Sequence, residues 1–308
     1  MNVRDILKLG FIGNASGPRC TTKEELEELF SSDADFVVTK SVTVDRREGN
    51  PYPRVAHGFL GEISSINSVG LANPGVREMK RILGEIEITK PLVVSIASSP
   101  SCPMDVVQQY RKLAEELGEF ADVLEVNISC PNLGKRMISN DPETTSRILE
   151  EVAEIFPPER ITVKVPPYSN VPELFQNLVC VLREHRIRAV SAINSLPSCM
   201  YIDIEREESL IKPNNGYGGF GGRCILPLVL GEVNRWYRKG FYVIGVGGIS
   251  CGADWYRHIL AGSSAVQVGT AYLVEGTSVF TRLKTELNEI LKRKRASLER
   301  KIGAVKLP

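Results

Sequence analysis

The sequence predicts an α/β fold, a (β/α)8 TIM barrel that carries long inserted loops at its C-terminal face. Eight short runs rich in β-branched residues recur, and most are followed by a polar or glycine-containing loop and then a helical pattern. The chain has 308 residues, 43% of them hydrophobic, which is enough for one large barrel. No linker rich in proline or serine divides it, so residues 1–308 are expected to form a single domain. A doubly wound open sheet is the alternative.

The predicted strands are short and almost wholly apolar, as is typical of parallel strands that are covered on both faces. In chain order they comprise residues 11–14, 36–40, 92–96, 123–128, 161–165, 189–193, 242–246 and 265–268. Helical patterns separate them, and the first of these opens with a capping box in which Glu25 follows Thr22 by three residues. The predicted helices comprise residues 22–31, 75–83, 104–117, 142–155, 172–185, 226–238, 253–260 and 279–294.

Two connections are too long to be simple barrel loops. Residues 41–72 follow the second predicted strand, and residues 194–226 follow the sixth. Long loops in compact domains commonly form lids or binding loops, and both of these would leave the C-terminal face of a barrel, where active sites are built. We therefore expect residues 41–72 to form a lid with Lys40 at its base.

The composition argues against nucleic-acid binding, membrane insertion and metal binding. The 38 basic and 37 acidic residues nearly cancel, which leaves no electrostatic footprint for nucleic acid. No apolar stretch has the length of a membrane helix, and the N-terminus lacks the hydrophobic core of a signal peptide, so a cytoplasmic protein is expected. The seven cysteines form no Cys-x-x-Cys pair and the three histidines are far apart, so no metal site is expected.

The fourth predicted strand ends in a group of polar and nucleophilic side chains. Asn127, Ser129, Cys130 and Asn132 place two amides, a hydroxyl and a thiol at the edge of the sheet, and Pro131 stops the strand. A thiol has an ordinary pKa of about 8.5 and needs only modest help to act as a base near neutral pH. Cys130 is therefore a candidate catalytic base, and a purely structural cysteine is the alternative.

Glycine clusters near the C-terminus predict a phosphate site. Gly247 and Gly248 follow the seventh predicted strand, Gly269 and Thr270 follow the eighth, and residues 216–222 are glycine-rich. The loops after strands seven and eight of such a barrel frequently bind phosphate, because glycine lets backbone N–H groups approach the anion.

Two lysines lie in or beside buried strands and require partners. Lys40 ends the second predicted strand and Lys164 lies within the fifth. A buried lysine is costly unless it meets an anion. For Lys164 that anion could be the negative charge of a reduced flavin, and an ion pair with Glu125 is the alternative.

Several motifs occur together and in a characteristic order along nearly the whole chain. They are Asn14-Ala15-Ser16-Gly17, Thr39-Lys40-Ser41, residues 47–54, residues 67–71, residues 127–132, residues 164–168, Asn194-Ser195, residues 211–213, Gly247-Gly248 and Gly269-Thr270. In this combination the sequence resembles the dihydroorotate dehydrogenases, and within them the soluble class 1 enzymes, most closely class 1A.

The resemblance implies an FMN-dependent enzyme that oxidises (S)-dihydroorotate to orotate in the de novo synthesis of pyrimidine nucleotides. Cys130 would take the proton from ring carbon 5, while the hydride passes from carbon 6 to flavin N5. The substrate would be held by Lys40, Asn67, Ser68, Val69, Gly70, Leu71, Asn127, Asn132, Asn194 and Ser195. FMN would be held by Ala15, Ser16, Lys40, Ser41, Asn127, Lys164, Gly221, Gly222, Gly247, Gly248, Gly269 and Thr270. A homodimer and fumarate as the second acceptor are also implied.

Three stretches depart from the class 1A pattern. After Asn194-Ser195 the family usually continues with glycine and asparagine, whereas this chain has Leu196-Pro197-Ser198. Asn214 stands where class 1A sequences commonly have a second lysine. Residues 71–75 look more like class 1B, whose members pass electrons to a partner subunit with FAD and an iron–sulfur centre, so NAD through such a partner is the alternative acceptor route.

Three other functions would account for part of the same pattern. A flavin barrel acting on another pyrimidine would share Cys130 and the asparagines, but it would not need Lys40 to bind a carboxylate. A non-redox phosphate-binding barrel, such as an aldolase or isomerase, could use Lys164 as a Schiff-base amine. A pure binding protein is the least favoured, because buried lysines and a thiol at one rim are costly without a ligand.

Overall fold

A computed structural model describes residues 1–130, 137–168 and 171–306. The strands are β1 (Ile12–Asn14), β2 (Val37–Val38), β3 (Val55–His57), β4 (Ser64–Asn67), β5 (Leu92–Ile96), β6 (Val123–Asn127), β7 (Ile161–Val165), β8 (Ala189–Ala192), β9 (Leu196–Cys199), β10 (Ile202–Asp203), β11 (Glu208–Ser209), β12 (Gly218–Gly222), β13 (Tyr242–Val246) and β14 (Ser263–Val268). The helices are α1 (Val3–Ile6), α2 (Lys23–Ser31), α3 (Val76–Glu85), α4 (Val106–Leu117), α5 (Pro142–Ile155), α6 (Pro172–Glu184), α7 (Leu226–Arg238), α8 (Gly252–Ala261), α9 (Thr270–Glu275) and α10 (Ser278–Lys294).

Eight parallel strands form a nearly closed barrel, in the order β1-β14-β13-β8-β7-β6-β5-β2. Each of these strands overlaps one of the eight predicted runs, and only β14 extends beyond its run, by two residues at the start; the barrel prediction is therefore confirmed and the open-sheet alternative is wrong. The strands are buried throughout, because helices cover the outer face and side chains fill the interior. Their C-terminal ends therefore meet at one face, where the polar residues that follow β6, β13 and β14 come together.

The barrel closes between β1 and β2 largely through side chains. A single backbone bridge joins Gly13 to Phe36. Asp35 Oδ2 accepts from the Ile12 N–H at 2.9 Å at one end of the junction. At the other end Asn14 Nδ2 donates to the Val38 carbonyl at 2.7 Å, and its Oδ1 accepts from the Val38 N–H at 2.9 Å. The carboxamide thus replaces one rung of the missing ladder. The strands approach so closely that a Cβ at Gly13 would lie 2.6 Å from the Phe36 carbonyl oxygen.

The helices agree with their sequence patterns to within a few residues at each end. The capping box of α2 is formed, since Thr22 Oγ1 accepts from the Glu25 N–H and Glu25 Oε2 accepts from the Thr22 N–H. The short helices α1 and α9 were not predicted, because four and six residues carry too little periodicity. Within the described residues no helix has the length and apolar character needed to cross a membrane.

The two long connections pair with each other. They contribute the strands of a small antiparallel sheet in the order β3-β4-β12-β9. The central pair joins one connection to the other, with Asn67 opposite Gly219 and Ser64 opposite Gly222. Both connections leave the C-terminal face of the barrel, so this sheet stands beside the ends of the barrel strands. The role of residues 41–72 as a lid stays a prediction.

Candidate active site

A cavity of about 1300 Å³ lies between the C-terminal ends of the barrel strands and the small sheet. Typical pockets for one small ligand measure roughly 300–1,000 Å³, so this cavity has room for a cofactor and a substrate together. Its lining includes every candidate site residue that the structure describes, namely Ala15, Ser16, Lys40, Ser41, Asn67, Ser68, Val69, Gly70, Leu71, Asn127, Cys130, Lys164, Asn194, Ser195, Gly221, Gly222, Gly247, Gly248, Gly269 and Thr270. The remaining candidate, Asn132, lies outside the described residues.

The end of β6 is held rigidly by hydrogen bonds. Asn127 is buried; its Oδ1 accepts from the Ser129 Oγ at 2.8 Å, and its Nδ2 donates to Ser41 Oγ at 3.0 Å. The buried Tyr110 hydroxyl donates to the Asn127 carbonyl at 2.7 Å. Asn194 reaches across from the end of β8 and donates to Ser129 Oγ at 3.0 Å. These contacts fix the backbone immediately before Cys130.

Cys130 is half-buried, lines the cavity and is influenced by neighbouring cations. Burial raises the pKa of its thiol, while the positive charges of Lys164, Lys40 and Arg47 act in the opposite direction. The net direction is upward, so the protonated thiol predominates at neutral pH. Desolvation is the larger cause because a thiolate loses more hydration than a thiol when water is excluded.

Both predicted lysines bind neutral oxygen atoms. The Lys40 Nζ donates to the Gly17 carbonyl at 2.9 Å, and burial lowers the Lys40 pKa. Lys164 Nζ donates to Ser16 Oγ at 2.7 Å. Across the described ranges neither ammonium group forms an ion pair with a carboxylate. Two cations that line one cavity without counterions make it attractive to anions.

The alternative partner proposed for Lys164 is wrong. Glu125 is fully buried in β6, where its carboxylate accepts from Ser95 Oγ at 2.9 Å and from Gln267 Nε2 at 3.2 Å. Glu125 and Lys164 are two residues out of register on neighbouring strands, since Asn127 is the residue opposite Lys164. Glu125 therefore belongs to a polar layer inside the barrel.

The loop of residues 68–71 is held from both long connections. Asn50 Nδ2 donates to the Ser68 carbonyl at 2.8 Å, and the Asn50 N–H donates to the Val69 carbonyl at 3.0 Å. Asn214 Nδ2 donates to Ser68 Oγ at 2.9 Å from the other connection. Gly70 has φ +72°, and a Cβ there would lie 2.6 Å from Asn50 Oδ1, so this position requires glycine.

Two further asparagines are oriented by backbone groups. Asn67 Nδ2 donates to the Gly219 carbonyl at 3.0 Å, across the central pair of the small sheet. Asn194 Oδ1 accepts from the Ser195 N–H at 2.8 Å. Each carboxamide keeps unused hydrogen-bonding capacity, since an asparagine side chain offers two donors and one acceptor oxygen with two lone pairs.

The glycine loops after β13 and β14 form an open backbone surface. Gly247 has φ +108° and Gly248 has φ +79°, which a side chain would strain. Within the described part of the chain, the N–H groups of Gly248, Ile249 and Gly269 donate to no protein acceptor. Bare N–H donors beside positive-φ glycines suit a phosphate group.

Sequence reasoning missed several lining residues. Gln267 lies in β14 and lines the cavity; it is fully buried, and its Oε1 has no hydrogen-bond partner among the described residues. A polar residue within the predicted apolar run 265–268, two positions before Gly269, was the available signal. Ser65 hydrogen-bonds to Thr270 at 2.8 Å from β4 of the small sheet, which was not predicted. Arg47 donates to the Gly70 carbonyl at 3.2 Å, and an isolated bridge pairs its backbone with Asn73.

Comparison with known proteins gives a consistent result. A family model described as dihydroorotate dehydrogenase matches residues 5–291. A Lactococcus lactis protein named dihydroorotate dehydrogenase A (fumarate) is 37% identical over 293 residues, which is 91% of this chain and 90% of that protein. A Saccharomyces cerevisiae protein named dihydroorotate dehydrogenase (fumarate) is 37% identical over 286 residues, 91% of this chain and 89% of that protein.

Among solved structures, a protein of the same name has a similar fold. A crystal structure of ligand-free DHODH from Eimeria tenella superposes with a TM-score of 0.79 at 23% identity, and the match covers 100% of this chain and 93% of that one. At this identity the likeness concerns the fold.

Proposed function

This chain belongs to the dihydroorotate dehydrogenase family, and from that premise we propose that it oxidises (S)-dihydroorotate to orotate with FMN as its cofactor. The observation that carries the proposal is the convergence of the described candidate residues on one cavity. The family uses a flavin, and membership argues against the non-redox aldolase or isomerase alternative. The product orotate serves the synthesis of pyrimidine nucleotides.

The proposed role of Cys130 is to remove a proton from ring carbon 5 of the substrate. When bound, FMN supplies the acceptor for the hydride that leaves carbon 6, so the substrate loses one proton and one hydride in all. The rigid end of β6 places the sulfur, because Asn127 and Ser129 are tied to each other and to Asn194. Lys40 and Lys164 favour the thiolate form that accepts the proton.

We assign the remaining candidate residues by the chemistry of the two ligands. Asn67, Asn127, Asn132 and Asn194 would hydrogen-bond the imide edge of the pyrimidine, since each amide can both donate and accept. Lys40 would bind the substrate carboxylate. Ser68, Val69, Gly70, Leu71 and Ser195 would close around the substrate as lining residues.

The glycine loops support a flavin that carries a phosphate. Gly247, Gly248, Gly269 and Thr270 line the cavity and would hold the FMN phosphate, because the N–H groups of Gly248 and Gly269 have no acceptor among the described residues. Lys164 would face the flavin ring, where its positive charge opposes the negative charge that reduction creates. The other assigned FMN contacts are Ala15, Ser16, Lys40, Ser41, Asn127, Gly221 and Gly222.

Fumarate is the proposed second acceptor. The relatives at 37% identity carry that acceptor in their names. The class 1B-like stretch gives no argument for a partner subunit, because Asn73 has a structural role: its Oδ1 accepts from the Thr43 and Gly75 N–H groups, and its Nδ2 donates to the Leu71 carbonyl. A partner with FAD and an iron–sulfur centre remains the alternative for the test below.

We also propose that residues 1–308 act as one FMN-binding domain and assemble as a homodimer. Strands from residue 12 to residue 268 contribute to a single barrel, which supports the first part. Apolar side chains are exposed on the connection that carries β9 to β12, where Ile204 is 82% exposed, together with Met200 and Ile202. Exposed apolar groups on one surface commonly mark an interface.

An anaerobic titration tests the proposed function. The purified protein should show flavin absorbance, release FMN on denaturation and bleach when dihydroorotate is added. Fumarate should then restore the oxidised spectrum, whereas NAD should not. A yellow protein that reacts with another dihydropyrimidine but not with dihydroorotate would favour the related flavin barrel. Reoxidation that requires NAD and an added partner subunit would favour the class 1B route.

A further inference from the structure

His258 is fully buried in α8, behind the glycine loop that follows β13. Its Nε2 lies 2.9 Å from the Gly247 carbonyl oxygen, and its Nδ1 lies 3.1 Å from Ser263 Oγ. A carbonyl oxygen can only accept, so Nε2 carries the hydrogen and the Ser263 hydroxyl donates to Nδ1. The imidazole is thereby fixed in one tautomer and one orientation.

The chain makes specific room for this arrangement. Gly245 lies in β13 beneath the ring, and a Cβ there would overlap both His258 Nδ1 and Ser263 Oγ. Burial lowers the His258 pKa to about 4, so the ring is neutral at physiological pH and keeps its acceptor nitrogen. The histidine does not line the cavity. It belongs to none of the motifs described above, and none of the proposed contacts with the substrate involves it.

The hydrogen bond to Gly247 fixes the direction of the next N–H group. The C=O and N–H of a trans peptide point in opposite directions. The Gly247 carbonyl points toward α8, so the Gly248 N–H points away from α8, on the side of the loop that lines the cavity. That N–H has no acceptor among the described residues. Both glycines have positive φ, so without an anchor this peptide could rotate easily.

We propose that His258 is a positioning residue for the phosphate site: through the Gly247 carbonyl it holds the Gly248 N–H toward the phosphate of the cofactor. The inference rests on the proposed FMN binding and extends it to a residue that does not touch the ligand. An N–H held in place before binding costs no reorganisation when the anion arrives, and hydrogen bonds to charged groups are stronger than neutral ones.

The test compares FMN with riboflavin, which has the same ring but no phosphate. His258→Met removes the donor, and His258→Gln keeps an amide donor on a side chain of the same length. Flavin is removed from each protein, and the dissociation constants of FMN and riboflavin are measured by quenching of flavin fluorescence. His258→Met should raise the dissociation constant of FMN about tenfold and change that of riboflavin by no more than about twofold. His258→Gln should recover most of the FMN affinity.

A matched control separates positioning from loss of stability. Trp255→Phe alters a buried side chain on the same helix, and it should leave the ratio of the two dissociation constants unchanged. Equal weakening of FMN and riboflavin by His258→Met, or a His258→Gln variant no better than it, would overturn the proposal. If His258→Met does not fold, His258→Phe keeps the ring volume without the donor and is read in the same way.

The flavin affinities of the wild-type protein distinguish a failure of the proposed function from a failure of the role of His258. A wild-type chain that binds neither flavin would contradict the proposed function itself. A wild-type chain that binds FMN much more tightly than riboflavin, with a ratio insensitive to His258, would leave the function standing and remove only the role of His258.

Discussion

Cys130 illustrates how two opposing effects set the acidity of one side chain. Burial raises the pKa of the thiol, and the neighbouring cations Lys164, Lys40 and Arg47 limit that rise. Since the net shift is upward, only a small fraction is thiolate at neutral pH. A base of this kind becomes more effective as the pH rises toward its pKa.

The pH dependence of flavin reduction follows from that shift. Because the pKa of the thiol is raised, the rate of reduction by dihydroorotate should still be rising with pH between about pH 6.5 and 8.5 in the wild-type protein, as the thiolate fraction rises. Cys130→Ser should retain bound flavin and lose about 10²–10⁴-fold in rate near neutral pH. Anaerobic stopped-flow absorbance measures both. A Cys130→Ser rate equal to wild type would exclude Cys130 as the base.

His258 makes the free energy of unfolding dependent on pH. Its pKa is about 4 in the folded chain against an ordinary 6.5, so below pH 6.5 the unfolded chain takes up a proton that the folded chain does not. The contribution is complete above pH 6.5 and declines as the pH falls toward 4. Between pH 7 and pH 5 wild type should lose about 2 kcal/mol relative to His258→Gln in urea unfolding. Parallel losses in both proteins would contradict the buried, neutral assignment.

Contacts between distant residues were beyond sequence reasoning. Cys130 and the glycines that follow β13 and β14 could be identified because each lies close after the end of a recognisable strand. The bond from Asn214 to Ser68 joins residues 146 positions apart, and no local pattern signals it. The sequence marks Asn214 only as the absence of a positive charge, whereas in the structure its side chain has a specific acceptor, Ser68 Oγ.

At the scale of elements, predictability followed the locality of the pattern. The barrel strands were found because each is a continuous apolar run, and α5 and α7 were found because amphipathic periodicity extends over more than three turns. The small sheet was not found because β12 is Gly-Gly-Phe-Gly-Gly, a composition depleted in strands. β12 exists through pairing with β4 and β9 rather than through its own propensity.

The turn before β12 carries a matched pair of residues for testing how the two long connections cooperate. Asn214 and Asn215 both have left-handed backbone conformations, with φ +51° and +54°, and both are exposed. Of these two asparagines, Asn214 donates a hydrogen bond to Ser68 and Asn215 does not. Asn214→Ala should therefore raise the KM for dihydroorotate several-fold, which is the effect expected from the loss of one hydrogen bond. Asn215→Ala should show only the effect of the left-handed backbone conformation that the two residues share. Steady-state kinetics with fumarate provides the measurement, and equal KM values for the two variants would contradict the coupling.

The barrel closure offers a second test at this scale. Asn14→Ala would leave a buried donor and a buried acceptor on Val38 without partners, so we expect a loss of about 2 kcal/mol or more in unfolding free energy. Asn234→Ala is the control, because that amide makes one partly buried bond to the Ala261 carbonyl. Urea unfolding should show a clearly smaller loss for the control. Similar losses would mean that the carboxamide of Asn14 is not what joins the two strands.

At the scale of the whole molecule, the exposed apolar side chains should determine the oligomeric state. Ile204→Glu places a charge at the most exposed of them and should shift the proposed dimer to monomer in size-exclusion chromatography with light scattering. Val274→Glu changes an exposed apolar residue on α9 and should leave the mass unchanged. A wild-type protein that is monomeric at micromolar concentration would refute the dimer directly.

The side-chain rung between β1 and β2 has a consequence for ligand-linked stability. Ser16 follows β1, whereas Lys40 and Ser41 follow β2, so a cofactor that contacts all three spans the junction that a single backbone bridge joins. Contacts between the cofactor and both strands would hold β1 and β2 together and so stabilise this junction. Amide hydrogens on both sides of the junction, in residues 12–16 and 36–41, should exchange fastest among barrel strands in the flavin-free protein and slow most when FMN is added.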